Sequence, residues 1–218
     1  MPVINISRQG VGTGVTNSDF ATARSNAASA VTDGITGEAD VQYFSSGRTK
    51  RFKRVFLYFD TSGITGTLSS ATVEVDGGSV SDADPNDTIL IKSSAFGGDG
   101  GTALATSDHF SSLDYTTAYS AELTVWNTST NKYVLTAAAL ADIKNNDHFT
   151  LAIIDNDNDY ANSDTTATAD ITIDFDVTIT LNYVLAGYGN TVMTVASANI
   201  NKVKGVATAN IETVIGVD

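Results

Sequence analysis

The chain has no cysteine, only two prolines and one tryptophan, and just two histidines among its 218 residues. Without cysteine there are no disulfides, no thiolate zinc sites and no cysteine nucleophile. His109 and His148 stand in no metal-ligand spacing, and no G-x-S-x-G, H-E-x-x-H or P-loop pattern occurs. Positive charge is also scarce. Twelve Lys and Arg face 25 Asp and Glu, for a net charge of -13 and a sequence pI near 4.3. That balance argues against nucleic-acid binding through phosphates and suits a solubilising acidic shell. No apolar run reaches the 18 or so residues of a membrane span. The start, MPVINISRQGVGTG, lacks the basic and then apolar stretch of a signal peptide. The expectation is a protein without membrane insertion, kept in the cytosol where it is made or leaving by a route without a cleaved signal.

Hydrophobic residues make up 42% of the chain, enough for a core at this length. Thr, Ser, Asp, Asn and Gly crowd the remainder, which favours strands and turns over helices. The almost continuous apolar run RVFLYFD, Arg54–Asp60, predicts a strand buried on both faces. ATVEV predicts a second that stops at Gly77–Gly78, and DTILIKSSAF, AELTVWN (Ala121–Asn127) and FTLAIID predict three more. ADITIDFDVTITLNYV alternates without a break, its isoleucines, Phe175, Val177 and Leu181 on one face and its Thr and Asp residues on the other. The one convincing helix is Ala137–Lys144, capped by Thr136. The first forty residues are rich in small residues and leave two readings, an edge strand or an arm reaching a neighbour. Eight or so short strands with one helix predict an all-β fold, an antiparallel β-sandwich of the jelly-roll kind, over residues 1–184. LAGYGNT is then a hinge to a C-terminal tail, residues 185–218.

Two likenesses add to this. RVFLYFDTSGITGTLSSATVEV (Arg54–Val75) and YVLTAAALADIKNNDHFTLAIIDND resemble the core of DNRLRE-type, carbohydrate-binding-module-like jelly-roll domains. An Arg-led strand ending in Phe-Asp, a Ser- and Ile-bearing loop, Ser-Ala-Thr, and a short helix before a strand and an acidic loop carry the likeness. The name-giving motif is absent. Such domains occur in secreted carbohydrate-binding and cell-surface proteins, and related sandwiches in virion proteins, so the resemblance implies a fold rather than an activity. The tail, ASANINKVKGV followed by ATANIETVIGV, is an 11-residue unit given twice with seven identities. It resembles tails of structural proteins of marine bacterial viruses.

Four groups of residues are candidates for chemistry. Asp155, Asp157 and Asp159 in DNDNDYANSD offer the hard oxygens that calcium prefers, but Tyr160 and Thr166 stand where an EF-hand needs Gly and Glu. A looser calcium site and a solvated acidic turn both fit. Arg48, Lys50, Arg51, Lys53 and Arg54 concentrate five of the twelve basic residues. They form either a patch for an anionic ligand or a segment paired with acids within or between chains. Trp126 and Tyr160, with Tyr115, Tyr119 and Tyr133, offer a glycan-stacking platform or simply core.

The fourth group is the apolar stripe of the tail: Ile200, Val203, Val206, Ile211, Val214 and Val217. Each unit reads as a short capped turn of helix (SANINKV, TANIETV) followed by an extended piece. Two such units are too small to fold alone, so the stripe needs a partner. No carboxylate pair stands out for acid–base work, which points to a non-enzymatic protein. The expected function is a bacteriophage virion structural protein, a head decoration, fibre or tail adhesion protein. It would form a homo-oligomer, a trimer by expectation, bind other virion proteins, and contact a cell-surface glycan. The alternatives are a secreted carbohydrate-binding module or adhesin subunit, which would be extracellular, and a self-polymerising filament subunit.

Overall fold

Strand β5 (Thr49–Asp60) organises the rest of the molecule. The computed structural model describes residues 3–34, 38–46, 49–64, 66–80, 87–166 and 168–184, with residues 202, 203, 206 and 207 in the tail. Along one edge, β5 pairs with β2 (Arg8–Gly14). Its other edge is shared. β4 (Glu38–Ser46) pairs with its first half as far as Lys53, and β10 (His148–Asp155) takes over from Val55. Where β4 leaves β5 it joins a second layer.

The back layer runs β8 (Leu113–Ala118), β7 (Thr88–Ser93), β10, β5, β2, β3 (Ala28–Asp33). The front layer runs β4, β11 (Ala169–Val184), β6 (Thr67–Val80), β9 (Thr130–Val134). β1 (Val3–Asn5) pairs with β11 across its edge opposite β6. Every pairing is antiparallel. The protein is therefore an all-β antiparallel sandwich of the jelly-roll kind.

The two faces of β5 explain its apolar sequence. Val55, Leu57 and Phe59 enter the core between the layers, with Leu151 and Ile153 of β10, Val73 and Val75 of β6, and Ile173 and Ile179 of β11. Phe52, Arg54 and Phe56 point the other way and are also fully buried. A cover over that second face includes α1 (Phe20–Ser25), α2 (Asp108–Ser111) and the loop that carries Phe96 and Leu104. Alternation along β11 survives two extra residues between Asp174 and Val177. An even insertion returns the next side chain to the same face.

Helix α3 (Ala137–Asn145) begins at Thr136, whose hydroxyl accepts from the Ala139 amide at 3.4 Å. The first forty residues do supply edge strands: β2 and β3 form a hairpin on the back layer, and β1 borders the front. Ala121–Asn127 differs from expectation. It makes a single bridge, Leu123 to Thr88, and leaves Val125 76% exposed. The reason lies next door: Asn131 accepts from the Asn127 amide and donates to its carbonyl, which curls the segment instead of extending it.

Strand β6 likewise does not stop at the glycines but runs through them to Val80. Gly77 is what permits this, because a Cβ there would lie 2.0 Å from the Asn127 carbonyl oxygen. Gly77→Ala is expected to cost about 1–3 kcal/mol through overpacking against backbone, read as a lower urea midpoint. Gly63→Ala, with nothing within 4 Å of the new methyl, should leave the midpoint in place; equal midpoints for both would refute the clash.

Candidate functional site

The acidic loop and the basic segment singled out in the sequence meet at one place. After β10 the chain makes a π-helical turn, Asn156–Tyr160. Asp155 starts it: one carboxylate oxygen accepts the backbone amides of Asn158 (2.6 Å) and Asp159 (3.1 Å). The turn delivers Asp159, only 1% exposed, beneath β5. There Arg54 grips it with two bonds, Nε to Oδ2 at 2.6 Å and Nη2 to Oδ1 at 2.9 Å.

Arg54 is entirely buried, which is tolerable only because its donors are occupied. Nη2 also donates to the Arg24 carbonyl, and Nη1 donates to both the carbonyl and Nδ1 of His109. Burial works against the guanidinium charge, and Asp159 more than offsets it, so the Arg54 pKa is raised.

Three further groups close around this pair. Tyr115 donates to Asp159 Oδ1 at 2.9 Å. Arg24 donates to the Asp159 carbonyl at 2.7 Å and stacks its guanidinium 4.0 Å from the Tyr115 ring centre. The His109 ring lies against β2, where a Cβ at Gly14 would come within 2.8 Å of its Nε2. Because arginine can only donate, His109 Nδ1 accepts and the ring proton sits on Nε2. Burial first, and then the Arg54 charge, push the His109 pKa down to about 3.

Each of the three acids is engaged by protein groups. Asp155 caps a turn and Asp159 neutralises Arg54, while Asp157 shares the amide of Asn156 with Glu122. Among the described residues no group of three or more acid or histidine side chains could hold a metal ion. Strand alternation divides the basic segment between the two faces of β5. Lys50 is buried and bonded to Asp164, Tyr43, Ser45 and the Thr165 carbonyl. Lys53 pairs with Asp40, and Arg51 donates to Gln42 at 2.8 Å. Lys50, Lys53 and Arg54 thus pair with acids of the same chain, and Arg51 does not; Arg48 lies outside the described residues. The aromatics do not make one platform. Tyr119 and Tyr133 are core, Tyr115 serves Asp159, and the half-buried Trp126 and Tyr160 pack on different clusters.

A second polar cluster lies at the other end of the layers, in a cleft of about 140 Å³. Lys92 of β7 pairs with Asp142 of α3 at 2.8 Å, and the buried Tyr119 hydroxyl donates to the same carboxylate. Asn146, His148 and Thr150 are also among the lining residues. Burial works to raise the Asp142 pKa, but Lys92 and Tyr119 outweigh it and hold the carboxyl below its ordinary value. Burial, and then Asp142, raise that of Tyr119. The carboxylate is thus an ionised acceptor and the phenol a donor, a pairing that ties α3 to the core. Sequence reasoning missed this cluster and the roles of Arg24 and His109, since their members are scattered along the chain and share no motif. The chain matches no protein-family model and no curated protein.

Asp155 and His109 titrate in opposite senses. Burial, aided by Asp159, raises the Asp155 pKa from 3.8 to about 7. The folded state then holds the extra proton between those values, and this contribution to stability is lost as pH rises from 4 to 7. His109, lowered from 6.5 to about 3, contributes stability that is lost as pH falls through the same range. The two slopes largely cancel. Asp155→Asn should therefore be more stable than the parent at pH 8 and gain stability from pH 4 to 6.5, measured by urea unfolding at each pH. An unchanged pH profile would rule out a buried, shifted Asp155. Separately, Asp159→Asn leaves Arg54 buried with no counter-charge and is expected to cost about 3–5 kcal/mol. A midpoint within error of the parent's would deny this pair its central role.

Proposed function

We propose that the protein is a non-enzymatic structural component of a bacterial virus particle. A β-sandwich is displayed on the virion, as a head decoration, fibre or tail adhesion protein, and its C-terminal tail holds it to copies of itself and to other virion proteins. One observation carries the reading. Within the tail, β12 (Lys202–Val203) and β13 (Val206–Ala207) form an antiparallel ladder of their own, which among the described residues joins no strand of the sandwich. An isolated two-stranded hairpin is marginal in water, so this one calls for a partner. The other anchor residues, Ile200, Ile211, Val214 and Val217, and the hinge lie outside the described residues.

The body supports the reading in a different way. Its ionisable groups are spent on holding elements together, as at Arg54–Asp159 and Lys92–Asp142. Truncation after Val184 tests the assignment. The shortened protein is expected to keep its circular-dichroism spectrum and unfolding midpoint but to fall to the mass of one chain in light scattering, while the full chain is oligomeric. Equal masses for the two would overturn the tail's assembly role.

A further inference from the structure

The cleft beside α3 holds more hydrogen-bonding capacity than its ion pair uses. Lys92 gives one of its three ammonium hydrogens to Asp142; among the described residues the other two meet no protein acceptor, and the side chain is 43% exposed. The Asp142 carboxylate offers about four acceptor positions. Lys92 and Tyr119 both bond its Oδ2, and the Asn146 side chain adds a further donor, so an acceptor position is left over. His148 also lines the cleft and makes no side-chain hydrogen bond among the described residues. Its neutral ring donates from one nitrogen and accepts at the other. Unused donors and acceptors thus stand side by side in a hollow of about 140 Å³.

These groups are held in place before any ligand arrives. Lys92 comes from β7, Asp142 from α3 and His148 from the start of β10, while Asn146 closes α3. The Tyr119 and Phe149 rings, each 1% exposed, pack together with centres 4.9 Å apart. Thr150 fixes another part of the lining by donating to the Gly98 carbonyl at 3.1 Å. A site that needs no rearrangement loses less on binding. Its volume falls below the roughly 300–1,000 Å³ of pockets for drug-sized ligands, so it admits one small unit rather than a chain.

Charge narrows the choice of that unit. Asp114 stands opposite Lys92 in the ladder of β7 and β8, so one ammonium neighbours two carboxylates, Asp114 and Asp142. An anionic ligand would meet a local excess of negative charge, and a cation would have to displace Lys92 from Asp142. An uncharged molecule with adjacent hydroxyls meets neither obstacle, because a hydroxyl accepts from Lys92 or His148 and donates to Asp142. We propose that the cleft binds the uncharged end unit of a glycan through its ring hydroxyls. Neither Tyr119 nor Phe149 exposes a face for stacking, so hydrogen bonds carry the recognition. Every group in the cleft belongs to the sandwich, and binding there is independent of the tail and of any virion. Glycan contact then falls away from Trp126 and Tyr160, where it was expected from the sequence.

Amide chemical shifts of the isotope-labelled full chain, titrated with the methyl glycosides of glucose, galactose, mannose and fucose, test this. At least one glycoside should give saturable shifts centred on Lys92, Asn146 and His148, with a Kd on the order of 1 mM. A methyl glucuronide should give none. His148→Ala removes no hydrogen bond of the described fold; it should weaken binding about tenfold while the urea midpoint stays in place. Lys92→Met should weaken binding at least as much, and if it also lowers the midpoint, the His148→Ala comparison decides alone. No response to any glycoside, shifts gathered at Trp126 or Tyr160, a glucuronide bound as tightly as the neutral sugars, or undiminished binding by His148→Ala would each overturn the proposal.

Discussion

One buried ion pair, Arg54 with Asp159, sets the form of the cover over the back layer. An arginine in the middle of a strand whose other side faces the main core has nowhere to reach water. The chain has to bring acceptors to it. It does so from four directions: the π-helical turn after β10 brings the carboxylate, α1 brings the Arg24 carbonyl, α2 brings His109, and β8 brings the Tyr115 hydroxyl to the far side of Asp159. These segments also contribute apolar side chains, Phe20 and Ala23 of α1 and Leu113 and Ala118 of β8. Their polar groups converge on five guanidinium hydrogens and one carboxylate, which burial makes costly to leave unpaired. Replacing the pair with apolar residues could keep the stability. It would remove the directional bonds that choose one arrangement of short helices over another.

The same logic governs most of the scarce positive charge. Arg8, Arg24, Lys50, Lys53, Arg54, Lys92 and Lys132 each stand within an ion pair to an acid of the same chain. The body therefore spends its cations internally and shows solvent mostly surplus carboxylates. A surface of that kind resists association with its like and with nucleic acid. Within the basic segment, Lys50, Lys53 and Arg54 are each drawn to an acid of the same chain, while Arg51 meets the neutral amide of Gln42.

What could be read from the sequence followed the period of the side chains. The alternation of β11, the apolar run of β5 and the Thr136 cap identified elements that the structure contains, because each is decided by neighbours within a few residues. Segments settled by distant partners were not legible. Ala121–Asn127 alternates like a strand but is curled by Asn131. Gly77 looks like a stop and is instead the one residue that lets β6 pass the Asn127 carbonyl. Asp155, Asp157 and Asp159 have the spacing of a cation loop, yet what Asp159 does depends on an arginine about a hundred residues earlier. No local pattern announces that Arg54 will be buried, and without that fact the acids look idle.

The contrast between body and tail follows from these constraints. Copies of an acidic body repel one another, and the described body offers no cluster of unspent cations to bridge them. Any association of such bodies would have to rest on groups that ignore the sign of charge, and the short ladder of β12 and β13, which among the described residues joins no strand of the acidic sandwich, is an element of that kind.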